Sequence, residues 1–260
     1  MSNFKENGSI YLGADDCRDF LFSVSAGFLS GYRQVRMYGF NPDLDSALSE
    51  YVWDVGVEPI YDTSNTSLYA VSTSALDSQE IMIYGLQQDV NGNWNEISTT
   101  VQLNGITPVL INNQFVRVLK VSNNNGTTLA GSVYITKANE LPLLDTDTNI
   151  RAKINVGEDS TLMAMYTVPS GYTAFIYRLY RGVRKNEDAV FNYQSREFGK
   201  VFKSIGKVSS YQASEQLAIG FERLEEKSDF RVKCITTTNN TEASASVHMI
   251  LVENSKLGTS

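Results

Sequence analysis

Histidine is nearly missing from this chain: His248 is the only one in 260 residues. A lone imidazole removes most dyads and metal sites, which need partners converging on it. Inside a strand, between Val247 and Met249, it reads as a residue with one satisfied hydrogen bond. Cysteine is as scarce. Cys17 and Cys234 stand far apart and read as free, partly buried thiols, because two cysteines make no disulfide framework. Long apolar runs are missing too. The charge-free run from Phe20 to Tyr32 is too short to span a bilayer. MSNFKENGSIY lacks the basic-then-apolar layout of a signal peptide, so the sequons at Asn7, Asn65, Asn125 and Asn239 read as loop asparagines. Basic excess is absent: the net charge of -7 argues against nucleic acid and anionic membranes as direct partners. There is no GxSxG and no HExxH. Gly199-Lys200 and Gly206-Lys207 have the wrong spacing for a phosphate loop, and Val208 follows the second lysine.

What is present is strand after strand. IMIYGLQQDVNGNWNEISTTVQL predicts two strands joined at Asn91-Gly92, a pair that takes hairpin turns readily. In DFRVKCITT, Phe230, Val232 and Cys234 share one face while Arg231 and Lys233 share a wet one. In YTAFIYRLYRG, alternation puts Phe175, Tyr177 and Leu179 on one side and Ala174, Ile176 and Arg178 on the other. Only 45–53 and 213–219 suggest short helices. Turns rich in Asn, Gly, Ser and Thr complete the pattern of an all-β protein built from antiparallel, jelly-roll-like sandwiches.

The halves resemble each other. Residues 115–135 lie over 229–249, the row containing FRVKCITTTNNTEASASVHM, with a constant offset of 114, so that Arg117 meets Arg231 and Asn125 meets Asn239. Upstream, LYAVST at 68 resembles LMAMYT at 162, and Ile83-Tyr84 resembles Ile176-Tyr177. An internal duplication predicts two tandem sandwiches. The expected boundaries are an arm or first strands over 1–30, a first sandwich over 31–140, a linker over 141–150 and a second sandwich over 151–260. An insertion is expected at about 181–215.

No catalytic, metal or cofactor-binding residue is expected, and the chain does not read as an enzyme. Asp145, Asp147 and Asn149 alternate like a calcium loop, but Ile150 and Val156 stand where glycine and a bidentate glutamate belong. Asp43, Asp45 and Glu50 read as acids at a helix start. The candidate surface contacts are aromatic: Trp94, which follows Asn91-Gly92-Asn93, and Tyr172.

TVPSGYTAFI (167–176) resembles a VPxGxTxxI turn that recurs in virion structural proteins of tailed bacteriophages. Gly39-Phe40-Asn41-Pro42, Tyr51-Val52-Trp53-Asp54, LYAVSTSALDS, IMIYGL, VQLNGITPV and NNNGTTLAGSVYI fit the same impression, over roughly residues 31–180. STSALDSQE is shorter and more acidic than the glycine-rich loop of similar proteins. The resemblance implies a β-sandwich particle component, assembled in the host bacterial cytoplasm and resident in the virion. As a head decoration or cement protein it would form homo-oligomers, trimers suiting local threefold positions, and clamp the major capsid protein or other virion proteins. The alternative it implies is a neck, tail or head-fibre part that binds a host-surface receptor or glycan. It transfers no active-site residues.

Overall fold

Strand follows strand because the apolar residues repeat at every second position. Ile81 and Ile83 in one strand, and Ala243, Ala245, Val247 and Met249 in another, are all buried on one side. The computed structural model describes residues 20–46, 48–142, 144–184, 187–211 and 222–258, with the backbone of 5–6, 9–10 and 215–217. In chain order the elements are β1 (Lys5–Glu6), β2 (Ser9–Ile10), α1 (Phe20–Ser25), β3 (Tyr32–Leu44), β4 (Glu50–Tyr51), β5 (Thr66–Ser72), β6 (Glu80–Gln88), β7 (Trp94–Gln102) and β8 (Val109–Phe115). There follow β9 (Arg117–Asn123), β10 (Val133–Thr136), β11 (Ile150–Ile154), β12 (Met165–Thr167), β13 (Tyr172–Val183), β14 (Asp188–Arg196) and β15 (Lys203–Tyr211). The last are β16 (Glu215–Leu217), β17 (Glu222–Leu224), β18 (Asp229–Thr236) and β19 (Thr241–Glu253).

These strands make two sandwiches, each of two antiparallel sheets. One packs β11-β10-β5-β8 over β7-β6-β9, around Leu68, Ile83, Phe115, Val121 and Ile135. The other packs β3-β19-β13, continued by β16 and β17, over β12-β18-β14-β15, around Ile176, Phe191, Phe230, Val247 and Met249. The pairing order of a jelly roll runs through both: β8-β5-β10 beside β7-β6-β9, then β16/β17-β13-β19 beside β15-β14-β18. The blocks offset by 114 fall on equivalent strands, β9 on β18 and β10 on β19. The upstream blocks do not. They set β5 on β12 and β6 on β13, whereas the pairing makes β5 the counterpart of β13.

The sandwiches are not laid end to end. β4 and β12 are two halves of one strand position, both paired with β18, and everything between them belongs to the other sandwich. The splice is continuous: Ala164 N donates to Val52 O (3.0 Å), Val52 N donates to Val232 O (3.0 Å), and Val232 N donates to Ala164 O (3.1 Å). One sandwich is therefore set into a strand of its host. This corrects the expected boundaries at two strands. Tyr32–Leu44, expected in the first sandwich, pairs with β19 in the host, and Ile150–Ile154, expected near the start of the second, pairs with β10 in the inset. Residues 141–149 join β10 to β11 inside the inset and connect no sandwiches. Periodicity identifies strands but not which distant strand each will pair with.

Local expectations fared unevenly. The Asn91-Gly92 hairpin forms: the Asp89 carboxylate accepts from Asn91 N and Asn93 N (2.8 Å each), and Gly92 takes φ +82°. TVPSGYTAFI turns between β12 and β13, with Gly171 at φ +79°. Among the described residues of 45–53 there is no helix: Glu50 folds back to accept Asp45 N (2.8 Å) and starts β4. In the 213–219 stretch the described part is strand β16. A bulge between Ile176 and Arg178 breaks the alternation of β13, so Leu179 joins Ala174 and Ile176 in the core. Of the expected N-terminal arm, residues 1–19 lie outside the described side chains, and α1 packs on β3. The end of β13 and the β14–β15 hairpin of the host fall within the expected insertion.

Candidate functional site

The most heavily built polar region lies where inset meets host. It begins with Asp229, the first residue of β18, whose side chain is fully buried. Its carboxylate accepts from Arg117 Nε (2.9 Å) and Nη2 (3.0 Å), Arg196 Nε (2.9 Å) and Thr167 Oγ1 (2.6 Å). Arg117 comes from the inset; the other three residues belong to the host. The remaining donor of Arg117 is held by the carbonyls of Asp62 and Val116. A buried carboxylate shared between two guanidiniums in this way tolerates no missing partner.

From Asp229 a ladder of alternating cations and rings crosses the junction. Lys233 lies over Tyr51 (5.2 Å), Tyr51 faces Arg231 (4.6 Å), and Arg231 stacks on Phe202 (3.6 Å). Phe202 faces Arg196 (4.5 Å), Arg196 lies over Tyr61 (4.6 Å), and Tyr61 faces Arg117 (5.0 Å), which reaches Trp94 (4.9 Å). Each contact of this kind is worth roughly 0.5–2 kcal/mol, more as water is excluded. Arg231 also donates to Glu58 (2.7 Å) and Gln194 (3.0 Å). Burial pushes the Tyr51 phenol up to about 12 and raises that of Tyr61 as well.

Both aromatic residues expected as surface contacts lie at this junction instead. Trp94 is 1% exposed, packed edge-on against Phe198 (4.8 Å). Its backbone exchanges two bonds with the TVPSGYTAFI turn: Trp94 N to Ser170 Oγ (2.8 Å) and Ser170 N to Trp94 O (3.0 Å). A tryptophan after a loop looked exposed because the sequence does not show that a turn from the host covers it. Tyr172 is half-buried beneath the Arg33 guanidinium (4.8 Å), and Arg33 bridges to Glu96 of the inset (2.5 Å).

The connectors form a third clamp. Trp53 and Met163 pair across them, and Asp54 accepts from Leu162 N (2.5 Å) and Asn155 Nδ2 (2.9 Å). Burial raises the Asp54 carboxyl to about 8 against the opposing pull of the Leu162 amide and Lys153, while Glu158 adds to the rise.

No reactive cluster emerges among the described residues, and no group of three or more His, Cys, Asp or Glu is placed to hold a metal ion. In the DTDTN stretch, Asp145 is engaged by Lys153 (2.6 Å) and Tyr134 (2.8 Å), and Asp147 by its neighbour Asn149. Cys234 is buried and its thiol is pushed up to about 12 by burial, whereas Cys17 lies outside the described residues. His248 sits half-buried on the outer face of the host, its imidazole 3.1 Å from Ser246 Oγ. The face of β18 read as wet is covered at Arg231, which is 6% exposed. Sequence reasoning missed Asp229, Tyr61 and Phe202. It did pair Arg117 with Arg231, and both lie in the ladder. No described helix is long and apolar enough to cross a membrane.

No family model matches the chain, and none of the curated proteins matches it. Similar solved structures include the cowpea mosaic virus top component, naturally occurring empty particles, at 10% identity over 74% of this chain and 83% of that one, TM-score 0.22. The Gt strain of infectious bursal disease virus matches at 7% identity over 88% and 74%, TM-score 0.25. The VP2 subviral particle of that virus matches at 7% over 86% and 72%, TM-score 0.23. Superpositions with scores this low carry no weight for the fold or function of this chain.

Proposed function

We propose that this chain is an architectural component of a virus particle, a head decoration or cement protein of a tailed bacteriophage that self-associates and clamps capsid subunits without covalent chemistry. The observation that carries the reading is the three-point junction. Connectors, ladder and turn clasp tie the two jelly rolls into one two-lobed body, and a particle part must hold its shape while its loops and edges meet neighbours. The sequence resemblance around TVPSGYTAFI points the same way. The repeated pairing order and the matching β9/β18 and β10/β19 blocks support an origin by doubling of one jelly roll. Trp94, expected as a surface contact, is buried, so the alternative of a tail or fibre part gains no support from it.

The test is the copy number of the chain in purified particles of the phage that encodes it, by quantitative mass spectrometry, with the native mass of the purified chain. Hundreds of copies and an oligomer with cyclic symmetry support head decoration. About six or twelve copies move the protein to the neck or tail, and absence from the particle overturns the reading.

A further inference from the structure

The outer face of the host's β3-β19-β13 sheet carries a second feature, at the edge of the junction. Register places residues in rows across three strands. Tyr38, Ser246 and Tyr180 form one row, and Arg36, His248 and Arg178 form the next. Directly opposed residues have Cβ atoms about 5 Å apart, so the two tyrosines stand on bases about 10 Å apart with only a serine between them. The small side chain opens a slot. Above it lies a hollow of about 430 Å³, floored by Ser244 and Ser246, walled by Tyr38 and Tyr180, and bounded across the lobe junction by Glu158 and Leu162. Tyr38 is 54% exposed, so its ring is open to solvent on this face.

The next row supplies charge. Successive outward residues on a strand are about 7 Å apart. In that row two arginines flank His248, with the rings of Tyr38, Tyr177 and Tyr180 set 5.2–6.4 Å from the imidazole and the Arg178 guanidinium 5.7 Å over the Tyr180 ring. Arg36 donates to Gln34 Oε1 (2.9 Å) and Arg178 to Tyr180 Oη (2.9 Å). Neither has a carboxylate partner among the described residues. In a chain of net charge -7, this is a positive patch on an acidic molecule. Burial and the two neighbouring guanidiniums lower the pKa of His248, which favours the neutral imidazole.

We propose that this face binds an acidic glycan: a pyranose ring stacks in the slot between Tyr38 and Tyr180, and a uronic-acid carboxylate, on that ring or the next, pairs with Arg36 and Arg178. Flat sugar faces suit tyrosine rings, and a guanidinium matches a carboxylate in shape and charge. Glu158, on the far rim, can accept from sugar hydroxyls. The site does not depend on the particle reading, because the isolated chain would bind.

Titration calorimetry with tetragalacturonate and with neutral galactotetraose tests it. The wild-type chain is expected to bind the acidic probe at least about tenfold more tightly than the neutral one, with the preference shrinking as salt rises. Tyr180→Ala and Tyr38→Ser are expected to weaken both probes about tenfold or more. The double change Arg36→Gln with Arg178→Gln is expected to abolish the preference and spare neutral binding. Tyr38→Ser and the arginine changes lie on the exposed side of the sheet, and an unchanged melting temperature confirms that they fold. Absence of binding to either probe at millimolar concentration overturns the proposal. Equal affinity for both probes, or binding that survives the tyrosine changes in folded protein, overturns it as well.

Discussion

At the scale of single residues, Asp229 decides most. Its carboxylate satisfies two arginines that folding has removed from water, so Asp229→Asn leaves both under-compensated. The expected loss is about 3–5 kcal/mol, read from urea unfolding of the variant against the parent. Thr167→Val removes one neutral donor to the same carboxylate and is expected to cost about 1–2 kcal/mol. Trp94 was legible as distinctive but not as buried. Trp94→Ala is expected to destabilise by about 3–5 kcal/mol, as a filled core position should. A change of less than about 1 kcal/mol would mean that the indole is not packed between the lobes.

At the scale of elements, the sequence showed strands and some turns clearly, because alternation and Asn-Gly pairs are local signals. The split strand was invisible in it. Nothing in Tyr51-Val52 or Ala164-Met165 announces that they are halves of one strand position, since their union depends on a shared partner far along the chain, Val232. Gly39 is the local trace of that union. A Cβ there would lie 2.2 Å from Val52 O and 2.4 Å from Ala164 N, both backbone atoms that cannot move aside. Gly39→Ala is therefore expected to cost at least about 1–3 kcal/mol, or to yield insoluble protein. Asp54 ties the two connectors and is held protonated by burial up to about pH 8. Its folded pKa exceeds its unfolded value, so its contribution is complete below about pH 4 and is lost as pH rises through about 8. Thermal melts are expected to show stability falling from pH 5 to pH 8, and Asp54→Asn to flatten that part of the curve.

For the whole molecule, the all-β class and the sandwich type followed from composition and periodicity, but the inset arrangement did not. Tandem order is the simplest reading of a repeat, and the offset of 114 located equivalent strands without showing which sheets they join. The junction explains why the arrangement matters. An inset domain on two adjacent connectors could swing like a flap, but here the Asp229 cluster with its cation–ring ladder and the Trp94–Ser170 clasp tie it to the host beyond the connectors. The architectural reading requires that the lobes behave as one body. Scanning calorimetry of the purified chain measures this directly. One transition is expected, with calorimetric and van't Hoff enthalpies equal and with Asp229→Asn splitting or broadening it. Two separate transitions in the unaltered chain would contradict the account, because the lobes would then be independent domains joined by a hinge.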